Sequence, residues 1–273
     1  MKYETIKLQE KGSQDYASLD LYLLADYDTI PIHKRGLVLI CPGSGFVKTS
    51  KREGEMVAMQ FLSKGYHAAV LWYSTYPSLY PASLLELGRS VSLIKKMAED
   101  NYIDPERIFV LGFSAGGYLV CNLCERWNEE WLNNELGISR EELKVKGMLL
   151  AYPVITAKEY AHKGSFINLL GKDYSELTEE EKEFYSLENH VNKDVPETFM
   201  WHTFKDQSVP VMNSVLLLQE LIKLNIPCEY HVFENGEHGI SLGNKLTARS
   251  EGGGVEEECS IWIDLAIRWL ERR

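Results

Sequence analysis

The run Gly112-Phe-Ser-Ala-Gly-Gly117 joins a hydroxyl nucleophile to the small neighbours that a sharp turn needs. A G-x-S-x-G spacing lets a strand enter a helix through a turn tight enough to lift the serine oxygen above the sheet. A Cβ at position 112 or 116 would crowd that turn, and Gly117 lets the helix pack close to a neighbour. Chance supplies the pattern about 0.1 times in a chain of this length, so its setting decides. The apolar run Ile108-Phe-Val-Leu111 precedes it, and a helical pattern from Ala115 to Trp127 follows. The bland alternative is a glycine-rich turn with no chemistry.

A serine hydroxyl is a weak nucleophile at neutral pH and needs a base to take its proton. Five histidines follow Ser114. His202 and His231 fall inside strand patterns, and His162 and His190 lie in or beside a segment that interrupts the fold's alternation. His238 alone sits in a loop, Asn235-Gly-Glu-His-Gly239, just past the last strand. That is the carboxyl end of the sheet, where such sites assemble, so His238 is the candidate base. A serine on such a turn is followed in the chain by an acid and then the histidine. Asp173, Asp194, Asp206 and several glutamates lie in that interval. Asp206 follows the strand that ends at Thr203 and shares the rim with His238, which makes it the candidate to accept the second imidazole proton. Asp194 is the alternative, and a helix-capping role is the plain reading of Asp206.

Acyl transfer develops an oxyanion, and losing one backbone donor to it costs about 2.7–4 kcal/mol. The N–H of Ala115 is one expected donor. The second is expected from Gly43-Ser-Gly-Phe46, with Gly45 favoured and Ser44 close behind.

Elements that would hold these residues in place follow from periodicity. Thr5–Gln9 and Ser18–Leu24 alternate as an antiparallel edge pair. Short apolar strands are expected at 36–41, 66–73, 107–112, 146–152, 197–203 and 228–233. Helical patterns cover 53–64, 81–99, 115–127, 209–224 and 256–271, and Asp104-Pro-Glu-Arg107 reads as a turn. Strands alternating with helices imply one α/β domain over 1–273, a mainly parallel sheet covered on both faces. The acidic stretch of about 155–190 reads as a helical insertion whose charges form a solvated face.

Composition narrows the partners. A net charge of -11 disfavours nucleic acid and anionic membrane surfaces. No run approaches the ~20 apolar residues of a membrane span, and the N-terminus lacks a signal-peptide pattern. Five cysteines, an odd count, suit reduced thiols in a cytoplasm. Cys121 and Cys124 form a C-x-x-C without a second ligand pair, so they read as two apolar residues on a buried helix, with no metal site implied.

With these pieces assembled, the chain resembles the acetylxylan-esterase-like carbohydrate esterases of the α/β-hydrolase superfamily, the group that includes proteins like endo-1,4-β-xylanase B. The resemblance spans about 36–241. It rests on Cys41-Pro-Gly-Ser-Gly-Phe46, Arg52-Glu-Gly-Glu55, Leu71-Trp-Tyr-Ser74, Tyr80-Pro-Ala82 and Gly112-Phe-Ser-Ala-Gly-Gly117. Ala151-Tyr-Pro-Val-Ile155, Gly164-Ser-Phe166, Leu169-Leu-Gly171, Trp201-His-Thr203 through Asp206 to Pro210, and Gly236-Glu-His-Gly239 complete it. It implies the α/β-hydrolase fold and removal of small acyl groups, chiefly acetyl, from plant-derived sugars without a cofactor. Many relatives carry His-Gly-Gly where this chain has Pro42-Gly-Ser-Gly45, so a bracing imidazole is missing from the oxyanion loop.

The expected partner is a small-molecule ester, an acetylated xylo-oligosaccharide or related sugar, with homo-oligomers left open. Phe46, Tyr76, Tyr80 and Trp201 could contact a sugar or simply pack in the core. The competing readings are a peptidase or lipase of the same fold and a non-catalytic binding protein on this scaffold. The segment 155–190 is too acidic for a broad apolar lid, and a binding protein would have no need of all three triad members.

Overall fold

Apolar side chains on consecutive residues of the central strands enter two different cores. Leu37, Leu39 and Cys41 pack on one side of the sheet, and Val38 and Ile40 on the other. Two-sided burial of this kind is what a parallel strand covered by helices on both faces requires. The computed structural model describes residues 1–29 and 31–273.

Eight strands form one sheet: β1 (Lys2–Lys7), β2 (Ser18–Leu23), β3 (Arg35–Cys41), β4 (His67–Trp72), β5 (Ile103–Phe113), β6 (Gly147–Ala151), β7 (Glu197–Thr203) and β8 (Cys228–Phe233). Their order is β1-β2-β4-β3-β5-β6-β7-β8. The β1–β2 and β2–β4 pairs are antiparallel, and every later pair is parallel. Helices α1 (Glu55–Leu62), α2 (Ala82–Lys96), α3 (Ala115–Arg126), α4 (Glu130–Leu136) and α5 (Arg140–Leu143) come before β6 or between the strands up to it. Helices α6 (Lys163–Leu170) and α7 (Glu179–Tyr185) precede β7. Helix α8 (Met212–Lys223) precedes β8, and α9 (Glu257–Ser260) and α10 (Trp262–Glu271) close the chain. Side chains of α2, α3 and α8 share one core, and those of α1 and α10 share the other. Cys121 and Cys124 of α3 are buried in the first, and all five cysteines are free thiols.

Four local expectations need correction. Asp104–Arg107 is not a free turn but lies within β5. Arg35 pairs with Ile103 and Leu37 with Ile108, so the extra residues bulge out of the ladder. The turn chemistry survives there, since the Glu106 N–H donates to Asp104 Oδ1 at 3.0 Å. The first strand begins three residues earlier than the alternation suggested. Helices α4 and α5 occupy a stretch to which periodicity assigned nothing. Finally, α1 starts at Glu55, while Glu53 belongs to a 3₁₀ turn spanning Lys51–Glu53, for a reason that emerges at the site.

Among the described residues, no helix is long and apolar enough to cross a membrane. No group of three or more His, Cys, Asp or Glu side chains there is arranged to hold a metal ion.

Candidate active site

Ser114 is the joint between β5 and α3, with φ 52° and ψ -117°. Backbone of this kind costs a non-glycine residue roughly 1–3 kcal/mol and persists only where its surroundings enforce it. Here they do. A Cβ at residue 112 would lie 2.3 Å from the Gly116 carbonyl oxygen, and one at residue 116 would lie 2.1 Å from that of Cys41. The Ser114 N–H donates to the Ala151 carbonyl at 3.0 Å, which ties the turn to β6.

The serine oxygen lies 2.8 Å from His238 Nε2, and His238 Nδ1 lies 2.6 Å from Asp206 Oδ2. With the Nδ1 proton committed to the carboxylate, Nε2 presents its lone pair to the hydroxyl. Asp206 Oδ1 accepts the N–H groups of Ser208 and Val209, both at 2.9 Å. Buried His202 places Nε2 3.4 Å from Asp206 Oδ2. Burial alone would raise the Asp206 carboxyl. Hydrogen bonds from His202 and His238, with the charge of His238, outweigh it and hold the group below the usual carboxylate range.

Two arginines staple the histidine loop. Arg249 Nη2 donates to the His238 carbonyl at 2.7 Å, and Arg52 Nη1 donates to that of Gly239 at 2.9 Å. The Tyr152 ring stands edge-on to the imidazole, with centroids 5.0 Å apart.

The loop after β3 reaches Ser114 because residue 43 has no side chain: a Cβ there would fall 2.7 Å from Ser114 Cβ. Ser44 (φ 117°), Gly45 (φ 63°) and Phe46 (φ 58°) then turn the chain sharply. Ser44 and Gly45 line the same cavity as Ser114 and His238. Ala115 is buried beside Ser114 as the first residue of α3. Among the described residues, the N–H groups of Ser44, Gly45 and Ala115 have no acceptor. Unpaired amides at a helix N-terminus and in a tight loop can hold an anionic oxygen.

What braces this loop is Glu53, which the sequence offers only within the run Arg52-Glu-Gly-Glu55 and without a role. Glu53 is 3% exposed, and its Oε2 accepts the Gly43 N–H at 2.8 Å. Its Oε1 accepts the Tyr152 hydroxyl proton at 2.7 Å, and the Tyr152 oxygen in turn accepts the Ser241 N–H at 2.9 Å. One carboxyl group therefore links the loop after β3 to the loop that carries His238. Burial pushes its pKa up, while the bonds from Tyr152 and Gly43 and the charges of His238 and Arg52 pull it partly back. Tyr73 adds a second brace through its hydroxyl, 2.6 Å from the Pro42 carbonyl. Asn168 of α6 adds a third at 2.9 Å from that of Gly45. The late start of α1 lies with Gly54, whose φ of -105° and ψ of -109° break the helical path between Glu53 and Glu55.

The other candidates are elsewhere. Exposed Asp194 accepts from Asn128, and Asp173 caps a 3₁₀ turn. His231 bonds to Glu229 and His190 to the Phe184 carbonyl. His162 does line the cavity, where it caps α6 and approaches Gly45. Phe46 and Trp201 are buried core residues and present no face to a ligand. The cavity is about 420 Å³, and the side chains around it include Ser50, Arg52, His162, Asn168, Ser208 and Arg249, with Val47 the one aliphatic side chain among them.

Comparison with known proteins gives a family match and close folds. The BD-FAE family model matches residues 19–221. The chain is 36% identical over 227 residues to endo-1,4-beta-xylanase B of Butyrivibrio fibrisolvens, covering 81% of this chain. It spans between 35% and 55% of the length of the curated relatives it matches. The acetyl ester-xyloside bifunctional hydrolase of Caldicellulosiruptor lactoaceticus superposes with a TM-score of 0.79 at 32% identity, covering 94% of this chain and 88% of that one. The carboxylesterase Cest-2923 of Lactobacillus plantarum WCFS1 superposes with a TM-score of 0.84 at 26% identity, covering 100% and 98%. The fold is that of the α/β-hydrolases, as expected from the alternation of strands and helices and from the resemblance.

Proposed function

The chain belongs to the BD-FAE family, and from that premise we propose that it is a serine esterase that removes short acyl groups, chiefly acetyl, from xylo-oligosaccharides or related sugars. The relay Ser114–His238–Asp206, with spacings of 2.8 and 2.6 Å, carries this reading. Ser114 Oγ attacks the ester carbonyl carbon as His238 Nε2 takes its proton. The carbonyl oxygen becomes an oxyanion, held by the N–H groups of Ala115 and of Ser44 or Gly45. The intermediate collapses, the C–O bond to the alcohol breaks, and His238 returns the proton to the departing sugar oxygen. Water, deprotonated by the same imidazole, then attacks the acyl-serine and releases the acid. Asp206 keeps the imidazole in the tautomer that accepts at Nε2 and stabilises its protonated form.

Ser50, Asn168 and Ser208 in the lining offer hydrogen-bonding groups to a hydroxyl-rich alcohol portion, which a long aliphatic chain could not satisfy. This weighs against a lipase. The homologous acetyl ester-xyloside hydrolase supports an acetyl group on a xylose-based alcohol. The test is a substrate panel: p-nitrophenyl acetate, butyrate and octanoate, an amide analogue, and acetylated xylo-oligosaccharides assayed for acetate release. Turnover should be fastest for acetyl esters and absent for the amide. No turnover of any ester would end the proposal, and a preference for octanoate would replace it with a lipase.

A further inference from the structure

A groove next to the catalytic cavity shares a wall with it. Between Thr49 and Glu55 the chain faces both ways: Ser50 and Arg52 line the cavity around Ser114, whereas Thr49, Lys51 and Glu55 line a groove of about 430 Å³ beyond it. Four aromatic side chains form much of the rest of the groove: Tyr3, Tyr16, Tyr22 and Trp72. Tyr3 is 56% exposed and Tyr16 is 47% exposed. The rings are held in place. Trp72 Nε1–H donates to Asp20 Oδ2 at 2.7 Å, the Tyr16 oxygen accepts the Thr75 N–H at 3.0 Å, and Tyr3 packs on Tyr22 with centroids 5.2 Å apart. Trp72 ends β4, Ser114 follows β5, and β3 lies between them. At ~4.8 Å per strand, Trp72 lies about 10 Å across the sheet from Ser114, and the groove runs from there away from the rim, since Tyr3 and Tyr22 stand level with Ala68.

We propose that this groove binds the sugar chain of an esterified oligosaccharide, beyond the residue that bears the acyl group. The inference rests on the esterase reading above. A pyranose ring has C–H faces and a periphery of hydroxyls. Fixed aromatic rings meet the faces at little entropic cost, and Thr49, Lys51 and Glu55 offer a hydroxyl, a donor and an acceptor to the periphery. A lipid chain would leave those polar groups without partners. A nucleic acid would meet Glu55 and a chain of net charge -11.

The test separates the groove from the chemistry. Unacetylated xylotetraose, with cellotetraose as a second probe, is titrated into the Ser114→Ala protein and followed by calorimetry. Saturable binding, weakened roughly tenfold by Tyr3→Ala and again by Lys51→Ala, supports the groove. In the Ser114 background, Tyr3→Ala should leave kcat/KM on p-nitrophenyl acetate within about twofold, which also reports an intact fold. The same change should raise KM for acetylated xylotetraose roughly tenfold. A protein that turns over p-nitrophenyl acetate but binds neither tetrasaccharide, or binds them regardless of Tyr3, overturns the groove and leaves the esterase standing. Tetrasaccharide binding through Tyr3 without turnover of any ester supports the groove and removes the esterase.

Discussion

At the carboxyl end of the sheet, a cavity of about 420 Å³ surrounds Ser114 and His238. At the amino end, another of about 550 Å³ lies among the starts of β5, β6 and β7, lined by Lys95, Glu106, Glu141, Lys144 and Lys146. The amino-end cavity is the larger and carries more charge, yet its groups do not converge. Lys95 reaches the Glu141 carbonyl, and Asp194 accepts from Asn128. At the carboxyl end, Ser114, His238, Asp206 and Glu53 are tied into one network with two loops, and free amides stand beside it. The difference teaches that volume and charge do not make a site. Orientation does, and the loops that follow parallel strands supply it.

The sharpest break between the two ends should come from Ser114→Ala. Its kcat on p-nitrophenyl acetate should fall about 10⁴-fold or more, with an unchanged fold by circular dichroism. Residual activity within tenfold of the parent would move the chemistry off Ser114.

Asp206→Asn should come next, with kcat reduced about 10²–10⁴-fold. The amide oxygen can still accept from Ser208 and Val209. The amide nitrogen would then face His238 Nδ1 and force the proton onto Nε2, where the imidazole cannot accept from Ser114. Stability tests the same residue. Its folded pKa is depressed, so its carboxylate stabilises the protein above the unfolded value near 3.9, and that contribution is lost as pH falls through the folded value. Urea denaturation should show the parent's advantage over Asp206→Asn at neutral pH narrowing on acidification below about 4. An advantage that widens in acid would refute the assigned direction.

The parts that were legible in the sequence are those whose signals are local. The elbow at Ser114 is visible because strand, turn and helix adjoin within a dozen residues. The rim positions of Asp206 and His238 follow from where two strands end. Glu53 stood in the run Arg52-Glu-Gly-Glu55, but its bracing role was illegible because its partners, Gly43 and Tyr152, lie 10 and 99 residues away, and its neighbours carry a helical period. The bulge at 104–107 was misread because turn residues inside a ladder look like turn residues anywhere. The edge groove was hidden for the same reason as Glu53. Tyr3, Tyr16 and Trp72 meet only once β1, β2 and β4 pair.

Glu53 therefore tests whether the brace matters as much as the relay. Glu53→Ala should lower kcat roughly 10²-fold, comparable to losing one oxyanion donor, with KM little changed. Glu53→Gln keeps an acceptor for the Gly43 N–H and should cost about tenfold. A purely structural role would instead lower stability while kcat of the folded fraction stayed at the parent value. The carboxyl's folded pKa is raised, so its contribution to stability is fullest below the unfolded value near 4.5 and is lost as pH rises through the folded one. Glu53→Gln has no such loss, so its stability relative to the parent should improve between about pH 4.5 and 7.

The smallest effect should come from the amino-end cavity, and it is the control on which the comparison turns. Lys146 and Glu106 are both exposed there, at the start of β6 and within the β5 bulge. Replacing both with alanine removes one charge of each sign, leaves the net charge unchanged and disturbs no group bonded to the Ser114 network. Each exposed substitution should shift stability by no more than about 0.5 kcal/mol, and kcat/KM on p-nitrophenyl acetate should stay within about twofold. A loss approaching that of Glu53→Gln would mean that the two ends of the sheet are coupled and that convergence at one rim does not by itself account for the chemistry.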